Sequence, residues 1–247
     1  MYDGRNILLE ILSVLVMNVE TILSPKLFYQ IEDLENKVVV VIDILRATST
    51  ITTILGNGAS SVIPVMEESK ANKYKAEGYL VGGERGGETI PGFDFGNSPF
   101  HYKPELIKDK DVVLTTTNGT KCIEMARAAK KVIIGSFLNL DTVVEQLKQW
   151  NTDVVLFCAG WKDRTNLEDS LFAGAVAAQL SNSNLDDASL LCVDSYNAAA
   201  DDLFGALKNS NHFQRLASKG VTKDIEYCCL QNTHRILPIL NGNKLTK

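Results

Sequence analysis

Residues 38–50 read Val38-Val39-Val40-Val41-Ile42-Asp43-Ile44-Leu45-Arg46-Ala47-Thr48-Ser49-Thr50, and the first five decide the fold. Every position from Val38 to Ile42 is apolar, rather than every second one. That is the pattern of a strand covered on both faces, as in sheets sandwiched between helices. Working outward, short apolar runs rich in β-branched residues recur at 61–65, 79–82, 111–116, 131–134, 153–158, 189–193 and 236–240, and each is read as a strand. Helical patterns fill the gaps. Residues 139–150 place Leu140, Val143, Val144 and Leu147 on one stripe, and residues 167–180 do the same with Leu167, Leu171, Ala175 and Ala178. The alternation predicts an α/β fold: a largely parallel or mixed sheet with helices on both faces. No Pro/Gly/Ser linker, repeat or low-complexity segment divides the chain, so residues 17–247 read as one domain, of two lobes at most. The apolar run from Ile7 is broken by Glu10 and no small-residue cleavage site follows, which argues against a signal peptide, and with Met17 as a second plausible opening Met1 to Val16 read as an N-terminal extension of doubtful role.

Composition narrows the function classes. A chain of 247 residues that is 45% hydrophobic can bury a sizeable core. A formal net charge of -5 with no Lys/Arg block argues against nucleic acid as partner, since a backbone binder needs a basic surface to displace counterions. No apolar run reaches the eighteen or so residues of a membrane helix. The five cysteines are an odd set without a C-x-x-C pair and sit mostly among apolar neighbours, which suits a reducing cytoplasm. Self-association is left open.

Ligands of open α/β sheets bind beyond the carboxyl ends of the strands, so the residues leaving each strand are where chemistry is expected. Asp43 leaves a wholly apolar strand and needs a cation or metal as partner; the hydroxyls Thr48 and Ser49 open the following helix, whose N-terminus suits an anion or is simply capped by them. Six of the seventeen glycines fall between Gly82 and Gly96, in a segment that also carries Glu84, Arg85 and Asp94 and reads as a long functional loop. Thr117, Asn118, Gly119 and Thr120 form a strand-to-helix turn rich in donors, either a phosphate cradle or a helix cap. Cys158 and Arg164 have the C-x5-R spacing of cysteine phosphatases, although a buried thiol on a strand is the better account of Cys158. In the adjacent pair Glu168-Asp169, Thr165-x-x-Glu168 matches a capping box, which leaves Asp169 as the better candidate for chemistry. The three histidines show no metal-ligand spacing, so zinc is not expected, and oxygen ligands point to magnesium instead.

Taken in order, VVVVIDILRATSTITTILGNGA, GGERGGETIPGFDFGNSP, VVLTTTNGTKCI, IIGSFLN and CAGWKDRTNLEDSLFAGA resemble the 2-phosphosulfolactate phosphatase family, from about Val19 to Leu240. The resemblance implies a magnesium-dependent phosphatase that converts (2R)-2-phospho-3-sulfolactate to 3-sulfolactate and phosphate, a step of coenzyme M biosynthesis, on an α/β fold distinct from the better-known phosphatases. On that reading Asp43, Glu84 and Asp169 converge on Mg²⁺, and Arg46 and Arg85 grip oxyanions of the small phosphate-ester substrate. Thr117, Asn118, Gly119 and Thr120 cradle the phosphate, Asn97 and Ser98 orient it or the sulfonate, and Thr48, Ser49 and Gly160 complete the binding surface. Attack by metal-activated water, with a carboxylate as base, is expected in preference to a covalent aspartyl intermediate. Two competing readings remain at this stage: a cysteine phosphatase built on Cys158 and Arg164, and a module that binds a phosphorylated ligand without turnover.

Overall fold

A computed structural model describes residues 16–180 and 182–247. Among these residues one sheet of eleven strands is formed: β1 (Asn18–Ile22), β2 (Val38–Ile42), β3 (Ser61–Pro64), β4 (Leu80–Arg85), β5 (Glu88–Thr89), β6 (Asp111–Thr115), β7 (Lys131–Gly135), β8 (Val154–Cys158), β9 (Asn184–Leu185), β10 (Ile239–Asn241) and β11 (Lys244–Thr246), in the order β5-β4-β6-β3-β11-β10-β7-β2-β8-β1-β9. Two parallel sets are present, β4-β6-β3 and β7-β2-β8-β1-β9. The C-terminal hairpin β10–β11 lies antiparallel between them and joins the two into one sheet. By pairing, the two sets therefore run in opposite senses. Six inter-strand steps separate β4 from β2, and a twist of ~20–25° per step rotates one set against the other by well over a right angle. Carboxyl ends from both sets can then face one cavity.

The helices that carry the argument are α1 (Ala47–Gly56), α2 (Glu68–Ala76), α3 (Gly119–Met125), α4 (Leu140–Trp150), α5 (Leu167–Gln179), α6 (Asp187–Ala199), α7 (Asn211–Ala217) and α8 (Thr222–Cys228). The all-apolar β2 behaves as its sequence requires. Val38, Val40 and Ile42 pack into the core beneath α4 and α5, while Val39 and Val41 pack into the core beneath α1 and α3. A third, smaller cluster of Ile63, Val65, Ala71, Val81 and Val113 lies under α2.

Two strand expectations are corrected. Residues 189–193 belong to helix α6, where burial falls on Ser189, Cys192 and Ala199 while Leu190 and Leu191 are exposed, a helical and not an alternating rhythm. Asp186 caps this helix by accepting from Ser189 N–H. Gly174 lets it lie against α5, since a Cβ there would come within 2.0 Å of the Cys192 carbonyl oxygen. The last expected strand begins at Ile239 rather than Ile236. Strands β1, β5, β9 and β11 were not anticipated. Of the expected N-terminal extension, residues 1–15 lie outside the described residues. Among the described residues no helix is long and apolar enough to cross a membrane.

Candidate active site

Four strand exits meet, as their sequences suggested, but with a different division of labour. At the end of β2, Asp43 is buried; its Oδ1 accepts from Ala47 N–H at 3.3 Å, and Oδ2 faces Gly119, where a Cβ would approach to 2.9 Å. Glycine at 119 thus allows the start of α3 to sit against the carboxylate. Burial pushes the Asp43 acid up to about 6, against the lowering by His212 and by the Ala47 N–H, with the charges of Glu84 and Glu168 adding to the rise. Thr48 and Ser49 are wholly buried and hold this turn: Thr48 Oγ1 accepts from Asp43 N–H, and Ser49 Oγ donates to the Ile44 carbonyl. They are supports of the site and do not line its cavity.

At the end of β4, consecutive side chains point to opposite faces. Glu84 turns inward, its Oε1 accepting from Thr117 N–H at 2.8 Å and its Oε2 from Gly87 N–H at 2.6 Å. Arg85 turns away and binds the Glu84 and Met66 carbonyls and Thr115 Oγ1. The expectation that Arg85 grips the substrate is corrected accordingly. At the third exit Thr117 and Asn118 line the cavity, whereas Thr120 is spent on reciprocal bonds with Thr116.

The fourth exit overturns two expectations. Asn166, not Thr165, caps α5, its side chain accepting from Asp169 N–H; Glu168 is thereby free of any capping role. Asp169 does not reach the cavity. Its two oxygens accept from Ile44 N–H at 2.9 Å and Gly160 N–H at 3.0 Å, so it ties the β2 exit to the β8 exit. Burial, with the charges of Glu168 and Asp43, drives the Asp169 acid well above the usual carboxylate range. Gly160 serves that same tie at a positive φ of 60°, where a Cβ would meet the Arg164 carbonyl oxygen at 2.2 Å. Cys158 is wholly buried, and burial raises its thiol far above the ordinary value; Arg164 is exposed and its backbone pairs with Trp161. No anion loop joins the two, so the cysteine-phosphatase reading fails on geometry.

The remaining walls come from α7 and α8, which the strand-exit rule does not reach. His212, Arg215 and Leu216 of α7 close one side of a cavity otherwise lined by Asp43, Leu45, Arg46, Glu84, Gly86, Gly87, Asn97, Thr117, Asn118 and Trp161. Asp224 of α8 pairs with Arg46 and accepts from Ser98 Oγ at 3.1 Å, so Ser98 lies outside the small cavity and lines the wider recess beside it. Arg215 donates to the Gly86 carbonyl at 3.2 Å and lies over the Trp161 ring at 4.9 Å. Only the i, i+3 spacing of His212 and Arg215 on one helix face could have drawn attention to them; their partners lie far away along the chain.

The cavity measures about 50 Å³, room for a few water-sized groups. That suits a phosphoryl head. A wider recess of about 680 Å³ adjoins it and shares Arg46, Gly87 and Asn97. Among the described residues three buried side-chain atoms have no hydrogen-bond partner: Asn97 Oδ1, Glu168 Oε2 and Arg215 Nε. Asn97 and Arg215 line the cavity, and Glu168 bonds His212, which lines it too. Native interiors rarely leave such groups unpaired, and here they gather around one hole.

The acids do not form the expected trio. Asp169 is held behind the wall, and among the described residues no three His, Cys, Asp or Glu side chains group as a metal site. The cavity itself keeps Asp43, Glu84 and the unpaired Asn97 oxygen. This all-oxygen set fits magnesium, which takes one or two carboxylates and fills its shell with water and phosphate oxygens. Charge points the same way. Two guanidiniums face two carboxylates, and Arg46 is already paired with Asp224, so a ligand with several anionic groups calls for an added cation.

An α/β sheet whose strand ends bring acids, guanidiniums and amides to a phosphoryl-sized hole defines the general class, a protein that handles a small anion at the sheet's carboxyl edge. The comparisons make this specific. The model of the family described as 2-phosphosulpholactate phosphatase matches residues 22–243. A probable 2-phosphosulfolactate phosphatase of Thermotoga petrophila is 46% identical over 209 residues, 84% of this chain and 91% of that protein. Its counterpart in Thermotoga maritima is 44% identical over the same shares, and that of Clostridium botulinum is 35% identical over 94% of this chain and all of its own length. The chain belongs to the 2-phosphosulfolactate phosphatase family, a name that denotes a phosphoric monoester hydrolase.

Proposed function

We propose that the protein hydrolyses (2R)-2-phospho-3-sulfolactate to 3-sulfolactate and inorganic phosphate in a magnesium-dependent reaction, in the cytoplasm and in service of coenzyme M or related sulfolactate metabolism. The observation that carries the reading is the clustering of the unpaired Asn97, Glu168 and Arg215 atoms around a hole of phosphoryl size. Arg215 and Asn118 would bind the phosphoryl oxygens, and Arg46, at the boundary with the wider recess, would meet the carboxylate or sulfonate of the substrate. Asp43 and Glu84 would hold Mg²⁺, which when bound supplies the charge that lets a multiply anionic ester enter and polarises its phosphoryl oxygens. The carboxylate geometry is fixed in advance, because backbone N–H groups aim Asp43 and Glu84 before any ligand arrives.

The test is phosphate release from 2-phosphosulfolactate by protein treated with EDTA and then restored with Mg²⁺, beside a panel of other phosphate monoesters. The expected result is turnover that is lost in EDTA, returns with Mg²⁺ and is fastest on the sulfonate-bearing ester. Undiminished turnover in EDTA would remove the metal from the scheme. Binding without phosphate release from any ester would favour a non-catalytic module.

A further inference from the structure

We infer that His212, held by Glu168, is the proton acceptor of this site, an assignment that rests on the phosphatase reading above. His212 lies in none of the motifs that single out the strand exits, and Glu168 was read there only as a helix cap; the assignment follows from the bonding around one imidazole ring. Its Nδ1 bonds Glu168 Oε1, and its Nε2 lies 3.0 Å from Arg215 Nη2. A guanidinium has donors only, so Nε2 must carry the lone pair and Nδ1 the hydrogen that Glu168 accepts. The ring thus turns its Nε2 toward Arg215 and the cavity.

Its orientation is fixed on several sides. Trp161 stacks on the ring at 5.9 Å between centroids and 9° between planes. Glu168 has no exposed surface and stands in the first turn of the thirteen-residue α5, where the helix dipole favours a carboxylate. A histidine present only for packing would not need a buried acid with a spare oxygen behind it. The other acids at the cavity are committed: Glu84 accepts from two backbone N–H groups, and Asp43 is assigned to the cation. Arg215 is the group an anionic phosphoryl would draw away from the ring, and its departure uncovers Nε2.

The step balances without a further reagent. A lone pair of water forms the new O–P bond while the water proton passes to His212 Nε2, and Glu168 balances the imidazolium charge. The ester P–O bond breaks with its electron pair on the leaving oxygen, which takes a proton from solvent. The imidazolium returns its own proton to solvent, so ester and water become alcohol and phosphate. General base catalysis of this kind contributes ~10²–10⁴-fold; Glu168 is a positioning residue, as the third group of a nucleophile–base–acid relay is.

The experiment measures kcat and KM of the Mg²⁺-restored full chain on 2-phosphosulfolactate for wild type, His212→Ala, His212→Gln and Glu168→Gln, with and without added imidazole. Expected are kcat losses of ~10²–10³-fold in both His212 variants with KM within about threefold. Imidazole should raise the rate of His212→Ala at least tenfold and leave wild type unchanged, and Glu168→Gln should lose about tenfold in kcat alone. His212→Gln keeps a side chain that can hydrogen-bond Glu168, so it guards against collapse of the wall. Folded His212 variants that keep kcat within fivefold, or that are inactive without any response to imidazole, overturn the assignment. Wild type that releases no phosphate from any ester brings down the phosphatase reading and this assignment with it; active wild type beside active variants brings down this assignment alone.

Discussion

The strand-exit loops and the C-terminal helices build the same cavity by different means. In the loops, backbone N–H groups hold the acids: Ala47 binds Asp43, Gly87 and Thr117 bind Glu84, and Ile44 and Gly160 bind Asp169. On α7 and α8, side chain meets side chain: His212 with Glu168, Arg215 with His212, Asp224 with Arg46. Carboxylates fixed by main chain cannot turn away when a charge arrives, whereas the guanidinium of Arg215 can exchange one partner for another. The loops are therefore the rigid floor of the site and the helices its adaptable wall.

Removing the charge of the floor should have the largest effect. Asp43→Asn is expected to lower turnover by 10³-fold or more, since it removes the carboxylate assigned to the cation, while the fold persists. Stability gives a second, opposite readout. The Asp43 acid lies at about 6 in the fold against 3.8 ordinarily, so the fold binds the proton more tightly than the unfolded chain does. Its contribution is most favourable below about pH 4, declines as pH rises through about 6, and leaves a penalty of at most ~3 kcal/mol above that. In EDTA at pH 7.5 the variant should therefore melt several degrees higher than wild type, and the gain should vanish below pH 4. An equal or lower melting temperature at pH 7.5 would show that the buried carboxylate is not the strained group argued here.

The comparison also explains what could be read in the sequence. The floor was legible because its acids sit at the ends of apolar runs, where the strand-exit rule directs attention, and because glycines cluster between 82 and 96. The wall was not. Glu168 and His212 lie 44 residues apart, and no local pattern connects an acid on one helix to an imidazole on another. Where floor and wall meet on α5, neighbouring residues are the reverse of what the sequence suggests. Glu168 and Asp169 differ by about 100° of helix rotation, and a match to a capping box concealed the one that faces the histidine. Arg85, expected to grip oxyanions from its place in the glycine-rich segment, faces away because strand neighbours point to opposite sides, and Arg215, which stands in no motif, takes its place.

That exchange of arginines supplies the second prediction. Arg215→Ala should raise KM and lower kcat, costing ~10²-fold or more in kcat/KM, because it removes a guanidinium from the phosphoryl cavity. Arg85→Ala, whose bonds run to the backbone carbonyls of Glu84 and Met66 and to Thr115 Oγ1, should change kcat/KM by less than about threefold. Steady-state kinetics on the two variants side by side decides the matter. The reverse ranking would return Arg85 to the site and show that α7 is only packing.

Cys158→Ser should have the smallest effect, and it separates the floor from what merely supports it. The thiol ends β8 with no exposed surface, and burial, with Asp169 and other buried acids and thiols nearby, keeps it protonated. A protonated, enclosed thiol is neither a nucleophile nor a ligand. Exchanging sulfur for oxygen puts a hydroxyl among apolar neighbours, so a stability cost of about 1–3 kcal/mol is expected from an underpaired polar group. Turnover per folded molecule should stay within about twofold, measured by titrating folded protein and assaying below the lowered melting temperature. Loss of turnover in folded Cys158→Ser would move the nucleophile to β8 and undo the division between floor and wall, since the strand that ends in Cys158 would then carry chemistry and not just the tie to Asp169.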